Sequence, residues 1–386
     1  MTEPARPALG VGLIGYAFMG AAHSQAWRTA PHFFDLPLRP ELTVLAGRDA
    51  ARVAEAAGRL GWSSTETDWH QVVERDDVDL VDVCTPGSSH AEISIAALEA
   101  GKHVLCEKPL ANTVEEARAM ATAAERAAAQ GVRAMVGFNF RRVPAVALAR
   151  ELVAAGRLGA IRHVRAAYLG AHLLDPEFPL VWRLQASEAG SGALGDLGAH
   201  AIDLAQYVAG DRITGVSALT ETFVPERPLP GGGGGQLGPV TVDDAALFIA
   251  RFGGGAVGGF EATRFATGHD EGLRVELNGE RGSLVWELGA FNELRFFDAG
   301  DDPATQGFRR IQVTRSVHPY AAAWWPEGHS IGYEHTFTHE VRDLLEAIAA
   351  GRDPAPSFAD GLQVQEVLDA VQRSAASGAG WTEVGQ

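Results

Sequence analysis

The chain has 386 residues, 46% of them hydrophobic, and a net charge of −17. That length predicts two domains, or one large one, with apolar content ample for buried cores. The acidic excess argues against a nucleic-acid or anionic-membrane surface, and no apolar run approaches the ~20 residues of a bilayer span.

The first residues, MTEPARPALG, lack the basic start and long apolar stretch of a secretory signal. Cys84 and Cys106 lie inside apolar strand-like runs with no CxxC or metal-type spacing. They are expected to be reduced core thiols, which predicts a cytoplasmic protein without a metal site.

In chain order, VGLIG (11–15) predicts a strand ending in glycine, and MGAAHSQAWRTA (19–30) a helix. LTVLAG (42–47) predicts a second strand, followed by the helix DAARVAEAAGRL. VDLVDVCTP (78–86) is a third strand before a helix closing at Gly101, and HVLCE (103–107) a fourth. A helix over 113–130 stops at Gly131, and RAMVGF (133–138) is a fifth strand. This alternation predicts a parallel sheet covered on both faces.

Beyond residue 140 the pattern changes. A helix at VPAVALARELVAAG precedes runs of period two: AALFIARF and AVGGFEATRF around Gly253–Gly255, then LRVELNG and GSLVWEL around Asn278–Gly282, then ELRFFD. Closely spaced strands with glycine turns predict an antiparallel sheet. PERPLPGGGGGQLGP (225–239) reads as a flexible loop, and two helices, HTFTHEVRDLLEAIAA and FADGLQVQEVLDAVQRSA, close the chain. The expected division is residues 1–137 and 138–386, with the final helices free to pack back on the first domain.

GLIGYAFMG sets Gly15, Ala17 and Gly20 in G-x-A-x-x-G register, directly after a strand and opening a helix. Such a turn lets a backbone approach a pyrophosphate, with the helix N-terminus facing the phosphates. The acid that would bind the ribose hydroxyls is expected where Gly47 stands; Arg48 follows, then Asp49. Arg48 or Arg52 could accommodate a 2′-phosphate, and Arg48 could equally stack on adenine, so both NAD and NADP fit the pattern.

Of 32 basic residues only Lys102 and Lys108 are lysines. Lys102 follows the glycine ending a helix and reads as a solvated turn residue. Lys108 stands in Glu107-Lys108-Pro109 at a strand's carboxyl end, the edge where open α/β sheets bind ligands, before a proline that could be cis. An ammonium there can lower an alcohol's pKa and stabilise alkoxide character.

In GSGALGDLGAHAIDLAQYVAG (190–210), Asp196, His200 and Asp203 recur at helical spacing on one face. A carboxylate beside an imidazole orients it as a general base. No third metal ligand stands at suitable spacing.

Together, GLIGYAFMGAAH (12–23), CTPGSSHAE (84–92), GKHVLCEKPLA (101–111) and GALGDLGAH (192–200) resemble the glucose–fructose oxidoreductase/inositol dehydrogenase (Gfo/Idh/MocA) family over nearly the full length. The resemblance implies an α/β fold: an N-terminal Rossmann domain plus a C-terminal α/β domain with a large, mostly antiparallel open sheet. It implies Lys108, Asp196 and His200 as the catalytic set. The coenzyme side would comprise Gly15, Ala17, Phe18, Met19, Gly47, Arg48, Thr85, Pro86, His90, Glu107 and Lys108. Asn139, Arg141, Trp182 and Arg183, with Asp196 and His200, would contact the substrate, Trp182 offering an apolar face to pyranose C–H groups.

FNFRRVPAVALA (138–149), PLVWRLQASEAGSGALGD (179–196), VPERPL (224–229), HPY with WP downstream (318–326) and PSFADGLQV (356–364) resemble the levoglucosan-oxidising branch. That implies NAD(P)-dependent oxidation, at C3, of an anhydrosugar such as levoglucosan or a similar pyranose. An inositol or other cyclic polyol dehydrogenase, or a glycoside-processing enzyme with transient oxidation, are the alternatives. One departure is Gly87, where the family often has Asn. A homodimer or homotetramer is expected, with a small sugar or polyol as the only other partner.

Overall fold

The computed structural model describes residues 6–231 and 235–385. The elements in order are β1 (Ala8–Ile14), α1 (Phe18–Phe33), β2 (Arg39–Ala46), α2 (Ala50–Leu60), β3 (Ser64–Glu66), α3 (Trp69–Val73), β4 (Leu80–Val83), α4 (His90–Glu99), β5 (His103–Glu107), α5 (Val114–Ala128) and β6 (Ala134–Gly137). There follow α6 (Pro144–Ala154), β7 (Ile161–Gly170), α7 (Ala186–Ala189), α8 (Ala199–Ala209), β8 (Ile213–Glu221), β9 (Glu226–Pro228) and β10 (Leu237–Pro239). The chain closes with β11 (Ala245–Phe252), β12 (Val257–Thr263), β13 (Glu271–Gly279), β14 (Gly282–Glu287), β15 (Glu293–Asp298), β16 (Arg309–Gln312), α9 (Tyr333–Ala349), α10 (Phe358–Ala376) and β17 (Thr382–Glu383). These form two compact units, Met1–Arg142 with Ile331–Leu362, and Val143–Ser330 with Gln363–Gln386.

The first unit is a six-stranded parallel sheet in the order β3-β2-β1-β4-β5-β6. The order reverses between β1 and β4, so the crevice for a ligand lies at the carboxyl ends of those strands. The strands are short apolar runs because both faces are covered. Leu13, Leu45, Leu80 and Trp27 are fully buried, and α9 returns to pack on α1 through Phe337 and Val341. β3 and α3 were not anticipated: β3 is a three-residue edge strand of polar residues, too short to show a period.

The second unit is a nine-stranded sheet in the order β16-β15-β14-β13-β7-β12-β11-β8-β17. Every pair is antiparallel except β12 with β7. Alternation decides which face is covered. In β11, Phe248, Ala250 and Phe252 point inward, while Leu247 and Ile249 stay exposed. α8 lies on the sheet through β7, β12 and β13, and α6 packs beside it.

One reading is corrected here. The stretch at 225–239 is not simply a flexible loop: β9 and β10 pair antiparallel, with Arg227 opposite Gly238. Arg227 is fully buried and donates to the carbonyls of Leu173 (2.8 Å) and Asp175 (2.7 Å), so the hairpin is tied to the chain after β7. Residues 232–234 of the polyglycine run lie outside the described residues.

Candidate active site

The first unit collects most of the expected residues on one edge. Gly15, Ala17, Phe18 and Met19 follow β1, Gly47 and Arg48 follow β2, Thr85 and Pro86 follow β4, Glu107 and Lys108 close β5, and Asn139 and Arg141 follow β6. All five strands run parallel, so every one of these positions is at the sheet's carboxyl edge.

The turn after β1 has the shape a pyrophosphate requires. Gly15 has φ +104°, a conformation glycine adopts without strain, and a Cβ at Gly20 would stand 2.0 Å from the Gly15 carbonyl oxygen. No side chain caps α1 and its first turn holds no acid, so nothing of its own occupies or neutralises the helix N-terminus. The residues present therefore fit a dinucleotide. Phe18 is exposed at this end and stacks on Tyr333 with ring centroids 6.5 Å apart.

Gly47 is explained by its neighbour: a Cβ there would lie 2.0 Å from the Tyr16 ring. A carboxylate cannot stand at this position without displacing Tyr16. Arg48 is exposed, and Arg52 lies 3.6 Å from Asp49, the N-cap of α2. Gly87 is likewise backed by a side chain, since a Cβ there would meet Asn112 Oδ1 at 2.3 Å.

His90 is buried, with Nε2 2.8 Å from the Thr85 carbonyl and Nδ1 3.0 Å from the Pro109 carbonyl. Burial lowers its pKa, so the neutral ring donates to one carbonyl at a time and tethers the β4 and β5 loops. The Lys108–Pro109 bond is cis. Glu107 faces inward: Oε1 lies 3.0 Å from His23 Nε2, and Oε2 accepts from the Lys108 amide at 3.1 Å. His23 Nδ1 is 2.9 Å from Asp82, which also accepts from Trp27 Nε1 at 2.7 Å.

Burial is the largest influence on His23 and works against its charge, but the neighbouring groups, Asp82 foremost among them, together hold the ring's pKa well above its ordinary value. Burial pushes the Cys84 thiol far up, which keeps it protonated. Behind them Glu340 is pushed up to about 8 by burial, with Arg142 3.6 Å away pulling the other way.

Lys102 is not a solvated turn residue. Its ammonium donates to the carbonyls of Arg75 (2.8 Å) and Val78 (2.7 Å), pinning the chain before β4. Asn139 is buried and donates to Thr336 on α9 at 2.8 Å, and Arg141 lies 3.9 Å from Asp360 on α10.

In the second unit Asp196 lies in a π turn, Leu194–Gly198, that runs into α8; His200 and Asp203 are on α8 itself. Asp243 holds the entry to this turn, accepting from the amides of Gly192 and Leu194, both at 2.8 Å. Burial raises the Asp243 pKa. His200 is largely buried and has the Tyr168 ring 5.9 Å away, while Asp203 is fully inside.

Asp196 has a partner that sequence reasoning missed. Arg264 is buried and donates through Nη2 to Asp196 Oδ2 at 3.0 Å, and through Nη1 to the Arg183 carbonyl at 3.5 Å. The signal was there: Arg264 continues the inward phase of Phe260 and Ala262. Arg183 in turn stacks its guanidinium over Trp182 at 4.4 Å, which covers one face of that ring. His172 belongs to the same group; burial lowers its pKa, with Arg264 adding to the effect and Asp196 opposing it.

The described side chains that come together as a possible metal set are His23, Asp82 and Cys84 alone. They are already joined by hydrogen bonds, with a thiol that burial keeps protonated. No helix among the described residues is long and apolar enough to cross a membrane.

Residues 9–138 match the model of an oxidoreductase family with an NAD-binding Rossmann fold, and 146–285 match the Gfo/Idh/MocA C-terminal domain. The levoglucosan dehydrogenase of Pseudarthrobacter phenanthrenivorans is 44% identical over 98% of both chains. An oxidoreductase domain protein from Kribbella flavida superposes with a TM-score of 0.96 at 66% identity, covering 98% of this chain and 100% of that one. A levoglucosan dehydrogenase in complex with NADH and levoglucosan superposes with a TM-score of 0.93 at 44% identity, covering 98% and 100%. With both domain models matched and a relative 44% identical over 98% of both chains, the chain belongs to the Gfo/Idh/MocA family of NAD-binding oxidoreductases.

Proposed function

We propose that the protein is an NAD-dependent sugar dehydrogenase that oxidises a secondary hydroxyl, at C3, of levoglucosan or a closely similar pyranose to the ketone. The observation that carries the reading is the shared edge of the first sheet. The dinucleotide turn after β1 and Lys108 after β5 end on the same side, in a chain 44% identical to a levoglucosan dehydrogenase over 98% of its length.

The coenzyme, when bound, takes up the hydride. Gly15, Ala17, Phe18 and Met19 hold its phosphates, with Gly47, Arg48, Thr85 and Pro86 around its other parts. His200 accepts the hydroxyl proton as the C–H bond breaks, and Asp196 orients that ring. Lys108 stabilises the developing alkoxide. Arg264 keeps Asp196 in place. Trp182, with one face under Arg183, offers the other to the sugar, and Arg141 and Asn139 complete the substrate contacts. The open apolar face of the second sheet, with Leu219 beside Leu247 and Ile249 nearby, is assigned to self-association.

The test is NADH absorbance with purified protein, NAD or NADP, and a panel of levoglucosan, L-sorbose, glucose and myo-inositol. Reduction of NAD with levoglucosan foremost is the expected result. Reduction with myo-inositol alone, or none despite coenzyme binding, overturns the substrate.

A further inference from the structure

Asp82, His23 and Glu107 form a row of ionisable groups inside the first unit, and none of them is a reacting group in the mechanism above. All three are at most 5% exposed. Each comes from a different element: Asp82 from β4, His23 from α1, Glu107 from the end of β5. The contacts run from Asp82 to His23 Nδ1 (2.9 Å), from His23 Nε2 to Glu107 (3.0 Å), and from Glu107 to the Lys108 amide (3.1 Å). The space for the Glu107 carboxylate is kept open by β6, where a Cβ at Gly137 would stand 2.9 Å from Glu107 Oε1.

Stability is a poor account of this row. Taking charges out of water is costly, and apolar side chains of the same volume often serve a core as well or better. What the row supplies is fixed geometry. α1 is the helix that opens on the dinucleotide turn, and the Lys108 amide belongs to the residue whose ammonium the mechanism uses.

We propose that His23 is a positioning residue: braced by Asp82, it holds the Glu107 carboxylate on the Lys108 amide and so locks the lysine to the helix that opens on the coenzyme. Cys84 and Trp27 brace Asp82 from β4 and α1, and Glu340 and Arg142 stand behind the row from α9 and the turn after β6. His23 does not touch the substrate; it acts through Glu107. This rests on the role given to Lys108 under the proposed function.

The two-lysine composition makes the test direct. Reductive methylation with isotope-labelled formaldehyde gives NMR signals only for Lys102, Lys108 and the amino terminus. In His23→Gln, whose single amide nitrogen cannot bridge both carboxylates, the Lys108 signal is expected to move or broaden. The Lys102 signal, anchored by the Arg75 and Val78 carbonyls, stays as the internal control. Turnover per folded molecule is expected to fall by about 100-fold, mostly in kcat, as for a misplacement of ~1 Å.

Should His23→Gln not fold, Glu107→Ala and Glu107→Gln answer the same question. Glu107→Ala removes the acceptor for the Lys108 amide and is expected to lose activity. Glu107→Gln keeps that acceptor and is expected to recover most of it. An unmoved Lys108 signal with wild-type turnover overturns the proposal, as does equal damage in the two Glu107 variants. Lys108→Met run alongside separates the cases: if it stays active, the role of Lys108 itself is wrong, whatever His23 does.

Discussion

Two charged sets serve this molecule in different ways. In the first unit, Asp82, His23 and Glu107 are linked by hydrogen bonds in a sealed interior, and the row ends on the backbone amide of Lys108. In the second, Arg264 is sealed but Asp196 keeps a side chain 30% exposed. The cation differs for a physical reason. Beside a carboxylate that is part exposed, a guanidinium keeps its charge and its fork of donors whatever the solvent does. Where only geometry is wanted, an imidazolium between two carboxylates suffices and draws three elements together.

The largest effect expected from breaking this comparison is at Lys108. Lys108→Met should lower turnover by at least about 1,000-fold, combining loss of a donor with loss of alkoxide stabilisation, while NAD affinity by calorimetry changes little. Unchanged turnover would remove Lys108 from the mechanism.

A smaller loss is expected on the other side. Arg264→Met leaves Asp196 without its 3.0 Å partner and frees the Arg183 carbonyl. A fall in kcat/KM of about 10- to 100-fold should follow, with NAD binding retained because the change lies in the other unit. Arg264→Lys should not restore it, since an ammonium cannot reach both acceptors in the same fork. Steady-state kinetics on the three proteins decides it.

The smallest effect is on stability rather than turnover. The Glu340 carboxyl is raised by burial from 4.5 to about 8. A carboxyl raised in the folded state favours folding fully below its unfolded value and loses that contribution as pH rises through the folded one. Wild type should therefore lose stability between about pH 5 and 8 that Glu340→Gln keeps, a difference of up to about 5 kcal/mol near pH 9. Denaturant melts across that range measure it, and parallel curves would refute the buried ionisation.

Much of the fold was legible because it is local. The turn at Gly15-x-Ala17-x-x-Gly20, the strand ends before Gly47 and Lys108, and the hairpins at Gly253–Gly255 and near Asn278 depend on backbone conformations that neighbouring residues dictate. β3, β7 and β8 were missed: β3 is too short for a period, and β7 mixes Arg, His and Tyr into its alternation. The stretch at 225–239 misled because glycines and prolines mark turns, while its two three-residue strands are stabilised by a buried arginine reaching back about fifty residues.

By itself the sequence determined the glycine turn after β1 and the Glu107-Lys108-Pro109 strand end, since each lies within one short stretch of backbone. The tertiary structure alone decided their partners. His23 meets Glu107 across 84 residues, and Arg264 meets Asp196 across 68. Such pairings depend on which strands lie side by side, and a chain's local pattern carries no record of that until the sheets have closed.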